Sequence, residues 1–222
     1  MTGIKLKICG VKDPQNLISI IDYCDYVGVI IDKETGSPRA VSEETAEHIL
    51  RICEKFNKTP IALVASSKGI DLAHRLGFNI VQIHSPDRDL IKYAVSLGLR
   101  IVPVFISKSS ELQKSELAEF LSFISNYSNC IEFVLLDADK SLKPVVNGLK
   151  LSLESYRIFI DMCHMSSLAS GVAGGITPEN VRDIVSMRPD VIDVSSGVEV
   201  NVGVKSVEKV RMLRRRILEY GQ

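Results

Sequence analysis

The chain has 222 residues, of which 45% are hydrophobic and 24% charged, and its 27 basic residues balance its 27 acidic residues. This composition is ordinary for a globular protein and excludes a disordered, collagen-like or coiled-coil chain. Because the charges balance, nothing draws the protein over a long range to nucleic acid or to an anionic membrane, and any anionic ligand has to be held by local groups.

Short runs rich in valine and isoleucine alternate with helix-like segments along the whole chain, which is typical of parallel βαβ units. The predicted strands span residues 4–9, 26–31, 60–65, 80–83, 100–104, 131–136, 168–173 and 191–194. The predicted helices span residues 14–23, 43–56, 68–76, 88–97, 110–125, 151–165, 178–187 and 205–220. Eight units predict an α/β protein with a single (β/α)8 TIM barrel over residues 1–222, and an open doubly wound sheet is the alternative.

Three of the predicted helices begin with capping signals. Asp13, Ser42 and Thr177 each precede a helix start, and proline or acidic residues follow them in the first turn. The segment 156–160 is ambiguous, because its β-branched and aromatic residues favour a strand while their spacing also fits a buried helix face. We assign that segment to a helix.

The first strand carries polar residues on one face. Alternation places Lys5, Lys7 and Cys9 on a face that should point into the barrel. A buried lysine needs a partner, and Asp193 near the end of the eighth strand is the candidate. An isolated cysteine is more often a small buried hydrophobe. Cys9, however, ends a strand beside lysines, and nearby cations are expected to lower the pKa of its thiol and make it a base or nucleophile.

Other polar residues stand where strands end, which is where active sites of such barrels lie. Asp137 follows two leucines, so partial burial should raise its pKa and suit it to acid catalysis. Arg39 follows a proline in a turn, and its guanidinium suits a carboxylate or a phosphate, although a solvated arginine is more common. His84 ends the fourth strand, where a hydrogen-bonded structural histidine is more common than a catalyst.

Two glycine loops follow the seventh and eighth strands, at residues 173–178 and 195–199. Glycine lets backbone amides approach an anion, and these two loops often form a phosphate site in (β/α)8 enzymes. We therefore expect a phosphate group to be bound around Gly174, Gly175, Ser196 and Gly197.

No targeting, membrane or metal signal stands out. The apolar runs, such as residues 61–65, are far shorter than the roughly 20 residues that span a bilayer, and the first residues lack the apolar core of a signal peptide. The five cysteines form no C-x-x-C pair and the four histidines have no metal-ligand spacing. We expect reduced thiols, a cytoplasmic location and no metal.

Several segments together resemble the phosphoribosylanthranilate isomerase family of tryptophan biosynthesis. They are KICG at 7–10, SPR at 37–39, LLD at 135–137, AGGI at 173–176, PENV at 178–181 and DVSSGVE at 193–199. Their order and spacing cover nearly the whole chain. The first and last segments are rather specific to this family, whereas many phosphate-binding barrels share the glycine loop after the seventh strand.

The resemblance implies an Amadori rearrangement without a cofactor, in which N-(5-phosphoribosyl)anthranilate becomes 1-(o-carboxyphenylamino)-1-deoxyribulose 5-phosphate. By matching motif, Asp137 is the general acid that protonates the furanose ring oxygen, and Cys9 is the general base that removes the C2′ proton. Arg39 would hold the anthranilate carboxylate, and the amides of the two glycine loops would hold the phosphate. Lys7, His84 and Asp193 complete the expected substrate site.

The sequence departs from the family pattern at two places. The family shows a Gly-Gly-Thr-Gly-like stretch after the acidic aspartate, whereas residues 145–152 of this chain contain one glycine, Gly148. That loop is expected to close over the substrate, so the departure bears on affinity and substrate range. Ser85 also stands where a glycine usually follows the histidine, and we assign it no chemistry.

Other interpretations explain fewer residues. An epimerase-like phosphosugar barrel would want metal-binding histidines and aspartates at strand ends, and a synthase-like barrel would want a strand-end lysine and glutamate pair; the sequence shows neither. A non-catalytic phosphosugar binder would not need both Cys9 and Asp137. Nucleic-acid binding by the arginines of the last helix is less favoured than a solvated face, which the helix dipole also supports. Those arginines are Arg211, Arg214, Arg215 and Arg216. We expect a monomer or homodimer.

Overall fold

Eight parallel strands close into a barrel in the computed structural model, which describes residues 3–84 and 87–221. The strands follow one another around the barrel in chain order, and β8 pairs with β1 to close it. This confirms the predicted (β/α)8 barrel and rules out the open sheet. The barrel strands are β1 Lys5–Cys9, β2 Tyr26–Ile30, β3 Thr59–Val64, β4 Ile80–Ile83, β5 Arg100–Ser107, β6 Val134–Ala138, β7 Ser170–Val172 and β8 Val191–Val194.

Helices follow the strands and pack on the outside of the barrel. They are α1 Pro14–Ile20, α2 Glu43–Lys55, α3 Ser67–Leu76, α4 Arg88–Ser96, α5 Lys114–Ile124, α6 Leu153–Met165, α7 Val181–Val185 and α8 Val207–Tyr220. Asp13 and Ser42 accept hydrogen bonds from backbone amides in the first turns of α1 and α2, as their positions predict. The ambiguous segment 156–160 lies inside α6, where Tyr156 and Phe159 are buried.

Four predicted helices begin later than expected, and two of these delays place residues at the site. The helix predicted over 178–187 is the five-residue α7, because the side chain of Asn180 accepts the amide of Thr177 and keeps the preceding residues in a turn. The helix predicted from residue 205 begins at Val207. The residues before it form a small antiparallel hairpin of β9 Glu199–Asn201 and β10 Val204–Lys205, which the sequence interpretation missed.

Apolar side chains form three clusters. The largest lies between the strands and the helices, the second fills the barrel interior, and a small third one consists of Cys9, Ile30 and Leu63 at the carboxyl ends of the strands. Inside the barrel the rings of Tyr26 and Phe133 pack with their centroids 5.5 Å apart, and Leu135 and Val191 lie in the same cluster. The interior is thus apolar at the amino ends of the strands, and at the carboxyl ends polar side chains share the cavity wall with Ile30 and Leu63.

Three of the four arginines of α8 make polar contacts within the fold. Arg214 pairs with Asp25 at 2.9 Å, Arg215 lies 3.4 Å from Glu219, and Arg216 donates to a backbone carbonyl. These contacts fit the interpretation of a structural, solvated face.

Among the described residues, no helix is long and apolar enough to cross a membrane.

Candidate active site

A cavity of about 320 Å³ opens at the carboxyl ends of the barrel strands. Of the ten residues predicted for the site, nine line this cavity: Cys9, Arg39, His84, Asp137, Gly174, Gly175, Asp193, Ser196 and Gly197. The tenth, Lys7, lies beneath it and has no solvent exposure. The topology therefore brings together residues from both ends of the sequence, as expected at this face of a barrel.

A buried ion pair forms the floor of the cavity. Lys7 Nζ lies 2.7 Å from Asp193 Oδ2, and the two residues are in register on β1 and β8. This confirms the partner predicted from strand alternation. The second carboxylate oxygen of Asp193 is buried and accepts no hydrogen bond from the described residues. Asp193 lines the cavity, whereas Lys7 contacts the site through Asp193 and Cys9.

The thiol of Cys9 ends β1 at the cavity wall and is almost fully buried. Burial raises the pKa of this thiol, and the attraction of Lys7 does not overcome that effect. The prediction that cations lower its pKa is therefore wrong in direction. Burial is the main physical reason, and the Asp193 carboxylate adds to it because it disfavours a thiolate nearby.

The carboxyl group of Asp137 stands at the end of β6 and faces the same cavity. Burial raises its pKa to about 6, although the hydrogen bond from the Ala138 amide, at 2.8 Å, favours the charged form. The direction agrees with the sequence prediction. A carboxyl group with this pKa is partly protonated near neutral pH, which suits a general acid.

Arg39 is held by a residue to which the sequence interpretation gave no role. Its Nε and Nη2 donate to the two carboxylate oxygens of Glu199, at 2.8 and 2.6 Å. Lys205 Nζ also donates to Glu199, at 2.7 Å. Glu199 belongs to the quoted segment 193–199, but its partners could not be identified while residue 205 was assigned to a helix.

Strand β4 adds two polar side chains. Burial lowers the pKa of His84, so its imidazole is neutral near pH 7, and its buried Nδ1 has no partner within residues 3–84 and 87–221. Gln82 was missed, although alternation places it on the same inward face. Its Oε1 is likewise buried and unpaired among the described residues. Both side chains can hydrogen-bond a polar ligand. Ser85, which follows them, lies outside the described residues.

The two glycine loops pack tightly against each other. A Cβ atom at Gly197 would lie 1.9 Å from the carbonyl oxygen of Ile176, so only glycine fits there. In the part of the chain that the structure describes, the amides of Gly174 and Gly175 donate no hydrogen bond. Asn180, another residue that was missed, fixes the first loop by donating to the Gly175 carbonyl at 3.0 Å. The loops are thus rigid and present unpaired donors.

The segment between β6 and α6, which includes the loop that departs from the family pattern, contributes two cations to the cavity wall, Lys140 and Lys150. The amide of Lys150 donates to the Gly174 carbonyl at 3.0 Å, which joins this loop to the first glycine loop. Its ammonium group donates to the carbonyls of Asp139 and Lys140, at 3.3 and 3.1 Å. Lysine therefore orders the loop here. The sequence interpretation counted the missing glycines and did not consider these charges.

The structure also bears on the rival barrel enzymes. Within residues 3–84 and 87–221, no cluster of histidine, cysteine, aspartate and glutamate side chains is arranged to hold a metal ion. A lysine and glutamate pair does exist, Lys205 with Glu199, but neither residue lines the cavity. The pair therefore does not provide the strand-end site that a synthase-like barrel would need.

Comparison with known proteins decides the family. A family model for N-(5'phosphoribosyl)anthranilate (PRA) isomerase matches residues 6–215. The chain belongs to this family. The resemblance drawn from the motifs is confirmed, and the chain is an isomerase of tryptophan biosynthesis.

Related isomerases match over nearly the full chain. The N-(5'-phosphoribosyl)anthranilate isomerase of Pyrobaculum islandicum is 33% identical over 217 residues, which cover 96% of this chain and 97% of the relative. The enzyme of the same name from Aeropyrum pernix is 30% identical over 211 residues, covering 91% and 92%.

Solved structures agree in fold. The N-(5'-phosphoribosyl)anthranilate isomerase of Pyrococcus furiosus superposes with a TM-score of 0.75 at 24% identity, covering 97% of this chain and 99% of that chain. A phosphoribosyl anthranilate isomerase in complex with reduced 1-(o-carboxyphenylamino)-1-deoxyribulose 5-phosphate gives a TM-score of 0.72 at 20% identity, with the same coverage. At these identities the likeness concerns the barrel alone.

Proposed function

We propose that the isomerase carries out the Amadori rearrangement of N-(5-phosphoribosyl)anthranilate with Asp137 as general acid and Cys9 as general base. The observation that carries this proposal is their shared cavity. The two residues lie on β6 and β1, which β7 and β8 separate, so they approach a ligand from different sides. The phosphate loops follow the two intervening strands.

The steps that lead to the enolamine need one proton delivered and one removed. Asp137 gives its proton to the furanose ring oxygen as the C1′–O bond breaks, and the nitrogen lone pair forms the C1′=N bond of a protonated Schiff base. The Cys9 thiol loses its proton to solvent, and the thiolate then takes the C2′ proton, while the C2′–H electrons form a C1′=C2′ bond and the C1′=N electrons return to nitrogen. Protonation at C1′ and loss of the hydroxyl proton at C2′ give the ketone product.

The pKa values of the two groups fit this sequence. Asp137, with a pKa of about 6, holds a transferable proton near neutral pH. Cys9 rests as a thiol because burial raises its pKa, but the cationic Schiff base adds positive charge close to the sulfur just when a thiolate is needed. Lys7 already favours that thiolate. Both proton transfers use side chains, so the proposal requires no cofactor.

The cavity offers separate places for the two anionic groups of the substrate. Arg39 would bind the anthranilate carboxylate, because a guanidinium group matches a carboxylate in shape and charge. The amides around Gly174, Gly175, Ser196 and Gly197 would bind the phosphate, and Lys140 and Lys150 add positive charge at that wall. The ribose hydroxyls would then face His84 and the free oxygen of Asp193, which Lys7 holds in place.

The test is turnover of phosphoribosylanthranilate generated in situ, followed as the loss of its anthranilate fluorescence. We expect Cys9→Ser and Asp137→Asn each to lower kcat by at least about 100-fold, which is typical of losing a general acid or base. Asp139→Asn is the matched control, because Asp139 is a half-buried carboxylate two residues from Asp137 and does not line the cavity. It should keep normal turnover.

Three outcomes would contradict parts of the proposal. Turnover that survives both substitutions would refute the acid and base assignment while keeping the reaction. Phosphosugar binding without turnover by the unaltered chain would identify a non-catalytic binder. Loss of activity in Asp139→Asn as well would point to a disturbed loop. As part of the same proposal, the enzyme acts in the cytoplasm as a monomer or homodimer, without nucleic acid.

A further inference from the structure

A three-residue ion cluster lies behind the cavity wall and takes no part in the proton transfers. Glu199 is at its centre and accepts hydrogen bonds from the Arg39 guanidinium group, from the ammonium group of Lys205 at 2.7 Å and from the amide of Gly203 at 3.0 Å. Burial opposes the charge on Glu199, yet the hydrogen bonds from Arg39 and Lys205 lower its pKa to about 2. Glu199 is therefore charged at neutral pH, and although burial lowers the pKa of Lys205, the Glu199 carboxylate favours the charged form of that ammonium group.

The cluster fixes which edge of Arg39 reaches the ligand. Glu199 occupies Nε and Nη2, and Nη1 donates to no described residue. Arg39 lines the cavity, whereas Glu199 and Lys205 do not. A guanidinium group has a limited number of edges for bidentate contact, so occupying one edge leaves the edge with Nη1 for a ligand.

The side chain of Arg39 is also placed relative to the reacting residues. A Cβ atom at Gly10 would lie 2.5 Å from Arg39 Cδ, so the arginine stem packs on the residue that directly follows Cys9. The hairpin that carries Glu199 is anchored in turn. Asn16 of α1 accepts the amide of Lys205 at 2.8 Å and donates to its carbonyl at 2.9 Å.

We propose that Glu199 is a positioning residue, which holds Arg39 so that its Nη1 edge meets the anthranilate carboxylate. This inference rests on the proposed role of Arg39 in the isomerase. Lys205 has a definite part in it, because Arg39 and Glu199 alone would form a neutral pair. The added charge of Lys205 leaves the cluster with one net positive charge, which is what an anionic ligand requires.

Charge and position make opposite predictions for Glu199→Gln. If only charge mattered, this variant would make the wall more positive and bind the substrate more tightly. If Glu199 positions Arg39, the variant frees the guanidinium group, and ordering it again on binding should raise KM by about tenfold while kcat changes by less than about twofold. The limb of the pH profile near 6, set by Asp137, should not move.

Two further variants guard against misfolding and non-specific loss. Glu199→Gln leaves Lys205 buried without its carboxylate, so Glu199→Gln with Lys205→Met restores the net charge and should fold while keeping the raised KM. Glu208→Gln removes an exposed glutamate from the first turn of α8 and should leave both constants unchanged. In an Arg39→Ala background, Glu199→Gln should have no additional effect on KM, since a residue that acts through Arg39 then has nothing to position.

Binding of separate probes distinguishes this inference from the proposed function. We expect Glu199→Gln with Lys205→Met to weaken the binding of anthranilate and to leave the binding of inorganic phosphate unchanged, by isothermal titration. An equal loss for both probes, an unchanged or lower KM, or an effect that persists in the Arg39→Ala background would overturn the inference. If the unaltered chain shows no turnover, the proposed function fails, and the anthranilate measurement still decides the role of Glu199.

Discussion

Replacing Asp137 with asparagine separates the energetic effect of a buried carboxyl group from its chemical role. The pKa of Asp137 rises from an ordinary 3.8 to about 6 in the folded protein. A raised pKa means that the fold favours the protonated form, so the contribution of this group to stability is complete below about pH 4 and is lost as the pH rises through about 6. Asparagine is neutral throughout and mimics the protonated form.

The size of the effect follows from the shift in pKa. About two pKa units at 1.36 kcal/mol per unit give about 3 kcal/mol as an upper bound, because the carboxyl group is partly exposed to the cavity. Asp137→Asn should therefore match the unaltered protein near pH 4 and become more stable above pH 6. For a chain of this length the gain corresponds to about 6–12 °C in Tm.

Urea denaturation at several pH values between 4 and 8 measures this difference directly. Asp139→Asn is again the control, because the pKa of Asp139 is shifted in the opposite direction. Hydrogen bonds from Ser141 lower the pKa of Asp139, so its charged form contributes stability above the ordinary pKa, and the variant should gain nothing at high pH. A stability difference between Asp137→Asn and the unaltered protein that stays constant from pH 4 to 8 would refute the burial argument and remove its support for the acid assignment.

Three further predictions concern the pH profile, the cavity floor and the glycine loops. The value of kcat/KM should be flat from about pH 6 to the raised pKa of Cys9, because the protonated fraction of Asp137 falls as fast as the thiolate fraction of Cys9 rises. Below pH 6 Asp137 is fully protonated while the thiolate fraction still falls, so kcat/KM should drop about tenfold per pH unit. A break in the pH profile well below pH 6 in the fluorescence assay would contradict this. Lys7→Met should lower the free energy of unfolding by about 3–5 kcal/mol, because it leaves the Asp193 carboxylate buried and unpaired. Adding Asp193→Asn should recover part of that loss in the same denaturation assay, and no recovery would argue against the pair. Gly197→Ala should lower stability by about 1–3 kcal/mol and weaken phosphate binding in titration, since its Cβ overlaps the neighbouring loop; unchanged phosphate affinity would move that site elsewhere.

The repeat of strand-like and helix-like segments, with the alternation of side chains along each strand, was enough to predict the barrel and much of the site. Runs rich in valine and isoleucine predict all eight strands, and alternation along β1 places Lys7 and Cys9 inward and predicts Asp193 as a partner. These inferences work because parallel strands in a closed barrel bring their carboxyl ends to one rim. The glycine loops could be placed for the same reason.

Features that depend on short elements or on competing energies could not be predicted. The hairpin that carries Glu199 has strands of three and two residues, too short for any periodicity to detect, so Lys205 was assigned to the following helix. Burial and Asp193 raise the pKa of Cys9 and Lys7 lowers it, so the direction of the shift depends on the balance of all three effects. The sequence identifies the nearby cations but does not show how strongly desolvation of the thiol opposes them.

The contacts that build the site also span the chain. Lys7 and Asp193 are 186 residues apart in sequence, and Arg39 and Glu199 are separated by 160. Such pairs form only after β8 has docked on β1, because each needs a loop of most of the chain to close first. A barrel that has not yet closed therefore has no site for the substrate carboxylate and no ion pair beneath the Cys9 thiol. During refolding, activity should therefore return only when β8 pairs with β1, while helix content returns earlier.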